Sequence, residues 1–149
     1  MTGWRLGWSL WPKKLIEIAT RLAINTYSCV NAPTQFAGIA ALNGPQNDFE
    51  IMLNEFKKRR NVIHEKLNSI DNFSCIKPMG AFYAFANIKN TGLSSNQAQD
   101  LILNQANVAT VAGTSFGNLG EGFIRFSYAA SLNNINNAME RISTIFNKN

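Results

Sequence analysis

The segment Gly122–Ser131 reads Gly-Phe-Ile-Arg-Phe-Ser-Tyr-Ala-Ala-Ser. Phe123, Ile124, Phe126 and Tyr128 are strand formers, so Arg125 falls in the middle of an apolar strand, on the same face as Phe123 and Ser127. Burying an unpaired guanidinium is costly even after the surroundings relax, so an anion or a route to water must compensate it. Glu121 is the only acid close in sequence, and it precedes the strand. The alternative is an anion from outside, a carboxylate held by the planar arginine fork through two parallel hydrogen bonds. A snorkelling or internally paired arginine stands open beside it.

A second arginine sits in similar company. Met1–Trp8 reads Met-Thr-Gly-Trp-Arg-Leu-Gly-Trp, in which Trp4, Leu6 and Trp8 favour a strand and Gly3 and Gly7 admit a close backbone or ligand. Arg5 alternates away from Trp4 and Leu6. Its chemistry is either a cation–π contact with a tryptophan or an anion clamp.

The elements that position these residues can be read from periodicity. Pro12 opens a helix carrying Leu15, Ile16, Ala19, Leu22 and Ala23, expected to end near 25–28. Asn31-Ala-Pro-Thr is a turn and N-cap, followed by a small-residue helix over Gln35–Leu42 and a break at Asn43-Gly-Pro. The longest helix carries Phe49, Met52, Leu53, Phe56, Ile63, Leu67 and Ile70 as one apolar stripe, with Lys57–Arg60 mostly on the opposite face. His64 lies beside that stripe as a boundary histidine. Strands are expected at Phe73–Ile76, Ala81–Asn87, Val108–Val111 and Phe123–Tyr128. A turn at Pro78-Met-Gly80 and a loop over Gly113–Gly122 connect them. Ser94 or Ser95 caps a short helix with Ala98, Leu101 and Ile102, and Ser131 caps a last one with Leu132, Ile135, Met139, Ile142 and Phe146 on one face. From Asp71 onward the pattern is a compact α+β unit, a sheet covered by helices.

Bulk properties exclude several classes. At 149 residues with 46% hydrophobic and 15% charged composition, the chain is globular and long enough for a core. The net charge of +5 is spread along the chain, and the one basic run, Lys57–Arg60, has no interleaved aromatics, so nucleic acid is not an expected partner. Cys29 and Cys75 lie far apart and there is one histidine, which leaves no metal-ligand pattern. Two sparse cysteines fit free thiols in a reducing compartment. With no apolar run of transmembrane length and no signal-peptide layout at Met1, the expectation is a soluble, cytoplasmic protein without a membrane partner.

Three motifs and one intervening segment carry a resemblance. Met1–Trp8 resembles the segment just after the Schiff-base lysine of class I aminotransferases, members of the fold-type I pyridoxal-phosphate enzymes. Gly80-Ala-Phe-Tyr-Ala-Phe resembles a strand of the family's small domain, and Gly122-Phe-Ile-Arg-Phe-Ser-Tyr-Ala its substrate-arginine motif. Ser28-Cys-Val-Asn-Ala-Pro-Thr-Gln-Phe-Ala-Gly is similar to the prokaryotic aspartate and aromatic aminotransferases. The motifs keep the family's order and gaps along the whole chain. Ala112 departs from the pattern by standing where the family usually has proline.

The resemblance implies an α/β fold, the C-terminal portion of the fold-type I transferase. Residues 1–45 would end the large cofactor domain, 46–70 form a linking helix, and 71–149 the small α+β domain. It implies pyridoxal 5'-phosphate as cofactor, Arg5 on its phosphate, and Arg125 on the substrate α-carboxylate. Substrates would be an aspartate-like or aromatic amino acid and a 2-oxo acid, and the intact enzyme a homodimer. The family's lysine would precede Met1, so no catalytic residue is assigned within the chain, and the chain alone is expected to be inactive. Lys13 and Lys14 follow the motif and do not replace that lysine. Other expectations are another fold-type I reaction, such as β-elimination, and a non-catalytic small-domain binding module.

Overall fold

The computed structural model describes residues 1–147, so residues 148 and 149, which the sequence places in the C-terminal unit, lie outside the described residues. The chain forms two compact units, Met1–Asp48 and Phe49–Asn149.

In the first unit a 3₁₀ turn over Thr2–Trp4 leads through irregular chain to a second at Lys13–Leu15 and then helix α1, Ile16–Tyr27. The strand expected around Trp4, Leu6 and Trp8 does not form. Arg5 takes the left-handed conformation, at φ 52° and ψ 39°, which breaks the extended alternation. The described residues of this unit also contain no strand to complete a ladder. Helix α2, Ala32–Asn43, begins as its sequence requires. The Asn31 side chain accepts the N–H of Thr34, and proline stands in the first turn.

The second unit is built on helix α3, Asn47–Asn68, whose apolar stripe is covered unevenly. Phe49, Met52 and Leu53 are exposed, whereas Ile63, Leu67 and Ile70 are buried and Phe56 packs on the core. Lys57 and Lys58 face solvent, and Arg59 closes an i,i+4 ion pair with Glu55 at 3.1 Å. His64 is partly buried at the edge of the stripe.

A four-stranded antiparallel sheet follows, in the order β1-β2-β4-β3. The strands are β1 Ser74–Cys75, β2 Tyr83–Asn87, β3 Val111–Ala112 and β4 Phe123–Ser127. All are shorter than the apolar runs that encode them. At β3 the reason lies in helix α4, Ser95–Ala106: Asn107 turns left-handed at φ 52°, and the Val108 N–H is spent on the Ile102 carbonyl, so pairing begins only at Val111. At β2 Ala81 is left-handed, φ 57°, which keeps it out of the ladder. Helix α4 starts in a capping box, Ser94 with Gln97, and α5, Leu132–Phe146, is capped by Ser131. Ile102 and Ala98 of α4 and Ile135, Met139 and Ile142 of α5 join Ala84, Ala86, Ile124 and Phe126 of the sheet in a single core. The sheet therefore buries one face and leaves the other open.

Candidate functional site

Register decides what the open face carries. β2 and β4 pair with Phe85 opposite Arg125 and Tyr83 opposite Ser127, while Val111 of β3 lies opposite Arg125 on its other side. Alternation sends Ile124 and Phe126 into the core at 0% and 3% exposure. Phe123, Arg125 and Ser127 then share the open face with Tyr83 and Phe85.

Arg125 is half-buried and finds no acid there. Among the described residues no carboxylate pairs with it and no acceptor takes its N–H groups. Its Cζ instead lies 4.3 Å from the ring centroid of Tyr83 and 4.4 Å from that of Phe116. The rings continue outward: Phe116 meets Phe85 edge-on at 6.3 Å, Phe85 stacks on Phe123 at 5.1 Å, and Lys89 Nζ lies 5.1 Å from the Phe123 ring. Aromatic faces attract the cation without consuming hydrogen-bond donors, so the guanidinium is partly desolvated while its fork stays available.

Glu121, the acid nearest to Arg125 in sequence, is committed elsewhere. Its carboxylate accepts the N–H of Ser95 at 2.8 Å and that of Gly122 at 3.1 Å, at the start of α4, where the helix dipole favours negative charge. The fully buried Ser95 hydroxyl accepts the N–H groups of Gly122 and Phe123 at 2.8 and 3.2 Å and donates to the Gly120 carbonyl. These bonds tie the loop before β4 to α4. Within the loop Gly113 and Gly120 pack so closely that a Cβ on either would collide with the other's backbone. Glycine at both positions brings the 3₁₀ turn Gly113–Phe116 back over the sheet, with Phe116 on Arg125. Ala112, where the family pattern has proline, donates its N–H to Gln99 Oε1 at 2.6 Å, a bond that proline cannot make.

Tyr128 holds the other side of the site. Its ring is buried, its hydroxyl donates to the Ala81 carbonyl at 2.9 Å, and its N–H reaches the Phe82 carbonyl at 2.9 Å. Both bonds secure the left-handed bend that delivers Tyr83. Burial pushes the Tyr128 phenol up, opposed in part by the positive charge of Arg60. Burial likewise raises the Cys75 thiol, and neither Cys75 nor the exposed Cys29 forms a disulfide.

Arg5 lies in the first unit, on a cleft of about 670 Å³ lined also by Trp4, Trp8, Tyr27, Asn31 and Thr34. The cleft lining contains no acid and no lysine, and Arg5 is exposed with no ion pair among the described residues. No tryptophan ring lies against its guanidinium within the described contacts, so the cation–π alternative is not what forms. Lys13 and Lys14 occupy an exposed turn and do not line the cleft. Among the described residues no helix is long and apolar enough to cross a membrane.

Sequence alone did not mark Phe116 or the role of Glu121, and it offered Ser95 only as an alternative helix cap, a place that Ser94 takes while Ser95 ties the loop. Tyr83 and Phe85 were within reach, because alternation in Gly-Ala-Phe-Tyr-Ala-Phe puts them on one face.

Arg125 stands on the open face of a small antiparallel sheet, held between the rings of Tyr83 and Phe116 with its hydrogen-bond fork free. Residues 1–142 match the family described as aminotransferase class I and II. The chain is 40% identical over 147 residues to an aspartate aminotransferase of Geobacillus stearothermophilus, covering 95% of this chain and 37% of that protein. It is 37% identical over 147 residues to aromatic-amino-acid aminotransferase 2 of Thermococcus litoralis, covering 97% and 38%. The solved aromatic aminotransferase of Pyrococcus horikoshii superposes with a TM-score of 0.85 at 37% identity, covering 97% of this chain and 39% of that one. The chain belongs to the class I and II aminotransferase family, whose members generally depend on pyridoxal phosphate. It spans less than two fifths of the length of these relatives.

Proposed function

We propose that this chain is the C-terminal portion of a pyridoxal-phosphate-dependent aminotransferase that moves an amino group from an aspartate-like or aromatic amino acid to a 2-oxo acid. The observation that carries it is Arg125, half-buried between two rings with no anion paired to it among the described residues. Residues 1–45 would close the cofactor domain, 46–70 link, and 71–149 form the small domain, in a cytoplasmic homodimer.

The residues present fit the phosphate end of the cofactor. Arg5 lies on a cleft free of acids, with the polar side chains of Asn31 and Thr34 beside it. Arg5 would pair with the phosphate through charge-assisted hydrogen bonds. When bound, the cofactor supplies an electron sink that makes the substrate α-proton labile. Arg125 grips the α-carboxylate with two N–H groups and fixes the direction in which the α-carbon presents that proton. The surrounding rings keep water from the guanidinium and strengthen the pair. Both chain residues act by orientation and charge, and neither moves a proton.

The test is amino transfer by the full-length protein, with aspartate or phenylalanine as donor and 2-oxoglutarate as acceptor. Formation of glutamate with loss of the donor is expected. Release of methanethiol, pyruvate and ammonia from S-methylcysteine, without amino transfer to 2-oxoglutarate, marks β-elimination instead, and inactivity in the presence of cofactor leaves the binding-module alternative.

A further inference from the structure

The geometry points to Phe116 and Tyr83 as positioning residues for Arg125, a ring clamp that holds the guanidinium in the orientation in which its N–H edge meets a carboxylate. This rests on Arg125 being a carboxylate receptor, as proposed above. The two rings come from separate parts of the fold. Tyr83 belongs to β2, delivered by the Ala81 bend that Tyr128 secures, and Phe116 closes the 3₁₀ turn of the glycine loop. Their ring centroids nevertheless lie at nearly the same distance from Cζ, 4.3 and 4.4 Å.

Two further observations separate a clamp from ordinary packing. Phe116 is 53% exposed and Tyr83 37%, so neither ring contributes much to the core, which lies on the opposite face of the sheet. Among the described residues Arg125 has no side-chain hydrogen bond or ion pair that would otherwise fix it. An arginine with free rotamers loses that freedom on gripping a ligand, at about 0.5–1.5 kcal/mol for one immobilised side chain. Rings already in place remove that cost beforehand while leaving every N–H donor unused. Phe116 itself is steadied by its edge-on contact with Phe85, so the clamp reaches back into the sheet.

The test follows the Arg125 Nε–H signal by nuclear magnetic resonance in the full chain labelled at arginine, assigned with Arg125→Lys. Sodium acetate is the carboxylate probe, and acetamide the neutral control. In the native chain acetate is expected to shift the signal saturably and acetamide to leave it unmoved. Phe116→Leu and Tyr83→Leu should make the Nε–H more mobile by its heteronuclear Overhauser effect. Each should raise the acetate midpoint about two- to tenfold, the equivalent of one immobilised side chain. Phe116→Tyr and Tyr83→Phe keep a ring and should restore both readouts. Unchanged backbone amide shifts away from the site confirm that the leucine variants are folded. If the native signal responds to acetate and the leucine variants respond with the same midpoint and mobility, the clamp is overturned while the carboxylate role stands. If the native signal ignores acetate, the carboxylate role and the clamp fall together.

Discussion

The carboxylate of Glu121 accepts the backbone N–H of Ser95 at 2.8 Å, joining the loop before the central strand to the first turn of α4 across 26 residues. That bond removes the one nearby acid from the reach of Arg125 and anchors the loop that carries Phe116. The acid nearest to the arginine in sequence thus builds its surroundings instead of neutralising it.

Replacing Glu121 therefore acts on the loop rather than on the charge of the site. Glu121→Ala leaves the N–H groups of Ser95 and Gly122 without their carboxylate and should destabilise the second unit by about 1–3 kcal/mol. Glu121→Gln keeps an acceptor oxygen and should lose less. Urea denaturation followed by circular dichroism reads both values. Equal stability of Glu121→Ala and the native chain would remove the anchoring role.

Arg125→Ala in the full-length enzyme should lower kcat/KM for amino acids by the equivalent of about 2–5 kcal/mol, the usual loss on truncating one member of a desolvated charge pair. Arg125→Lys should recover part of it, since an ammonium keeps the charge without the fork. An amine substrate without an α-carboxylate is the control. Equal slowing of the amine would make Arg125 structural.

Arg5→Ala should weaken cofactor retention before it alters substrate selectivity. The dissociation constant for pyridoxal phosphate, read by fluorescence after dialysis, should rise by about tenfold or more, as expected for one charge-assisted hydrogen bond of about 1.5–3 kcal/mol. Unchanged retention would detach Arg5 from the phosphate.

Like Gly120→Ala, Gly113→Ala should damage the loop. Its Cβ would run into the Gly120 carbonyl, which is backbone and cannot swing aside. A cost of about 1–3 kcal/mol follows from overpacking at such a site. Thermal unfolding measures it, and the Phe116 ring proton shifts should move with it. Tolerance of alanine with an unmoved Phe116 would contradict the close Gly113–Gly120 approach.

Alkaline pH should loosen the second unit. Burial raises the pKa of both Cys75 and Tyr128 in the fold, so the unfolded chain loses each proton first. Their contribution is complete below the unfolded values, about 8.5 for cysteine and about 10 for tyrosine, and is lost as pH climbs through the higher folded values. Tyr128→Phe should remove the tyrosine part of that decline. At neutral pH it should cost about 0.5–1.5 kcal/mol for the bond to Ala81. Urea midpoints at pH 7, 9 and 11 decide it, and an unchanged fall between pH 9 and 11 in Tyr128→Phe would refute the tyrosine contribution.

Local chemistry let the sequence state where helices begin. Asn31, Ser94 and Ser131 cap α2, α4 and α5 because a short polar side chain satisfies the free N–H groups of the first turn. Alternation equally placed Arg125 on one face of β4 with Phe123 and Ser127. The family, too, was legible, since three motifs in register involve side chains whose types their chemistry restricts. Tertiary structure alone decided the partners. Strand ends depend on which neighbour supplies the ladder, so β1 and β3 shrank to two residues each and the strand expected at Trp4–Trp8 did not form. Phe116 meets Arg125, and Glu121 meets Ser95, only through the folded glycine loop and the register of β4. Sequence spacing carries no record of such approaches, because they are set by backbone packing between Gly113 and Gly120 rather than by the identity of the residues brought together.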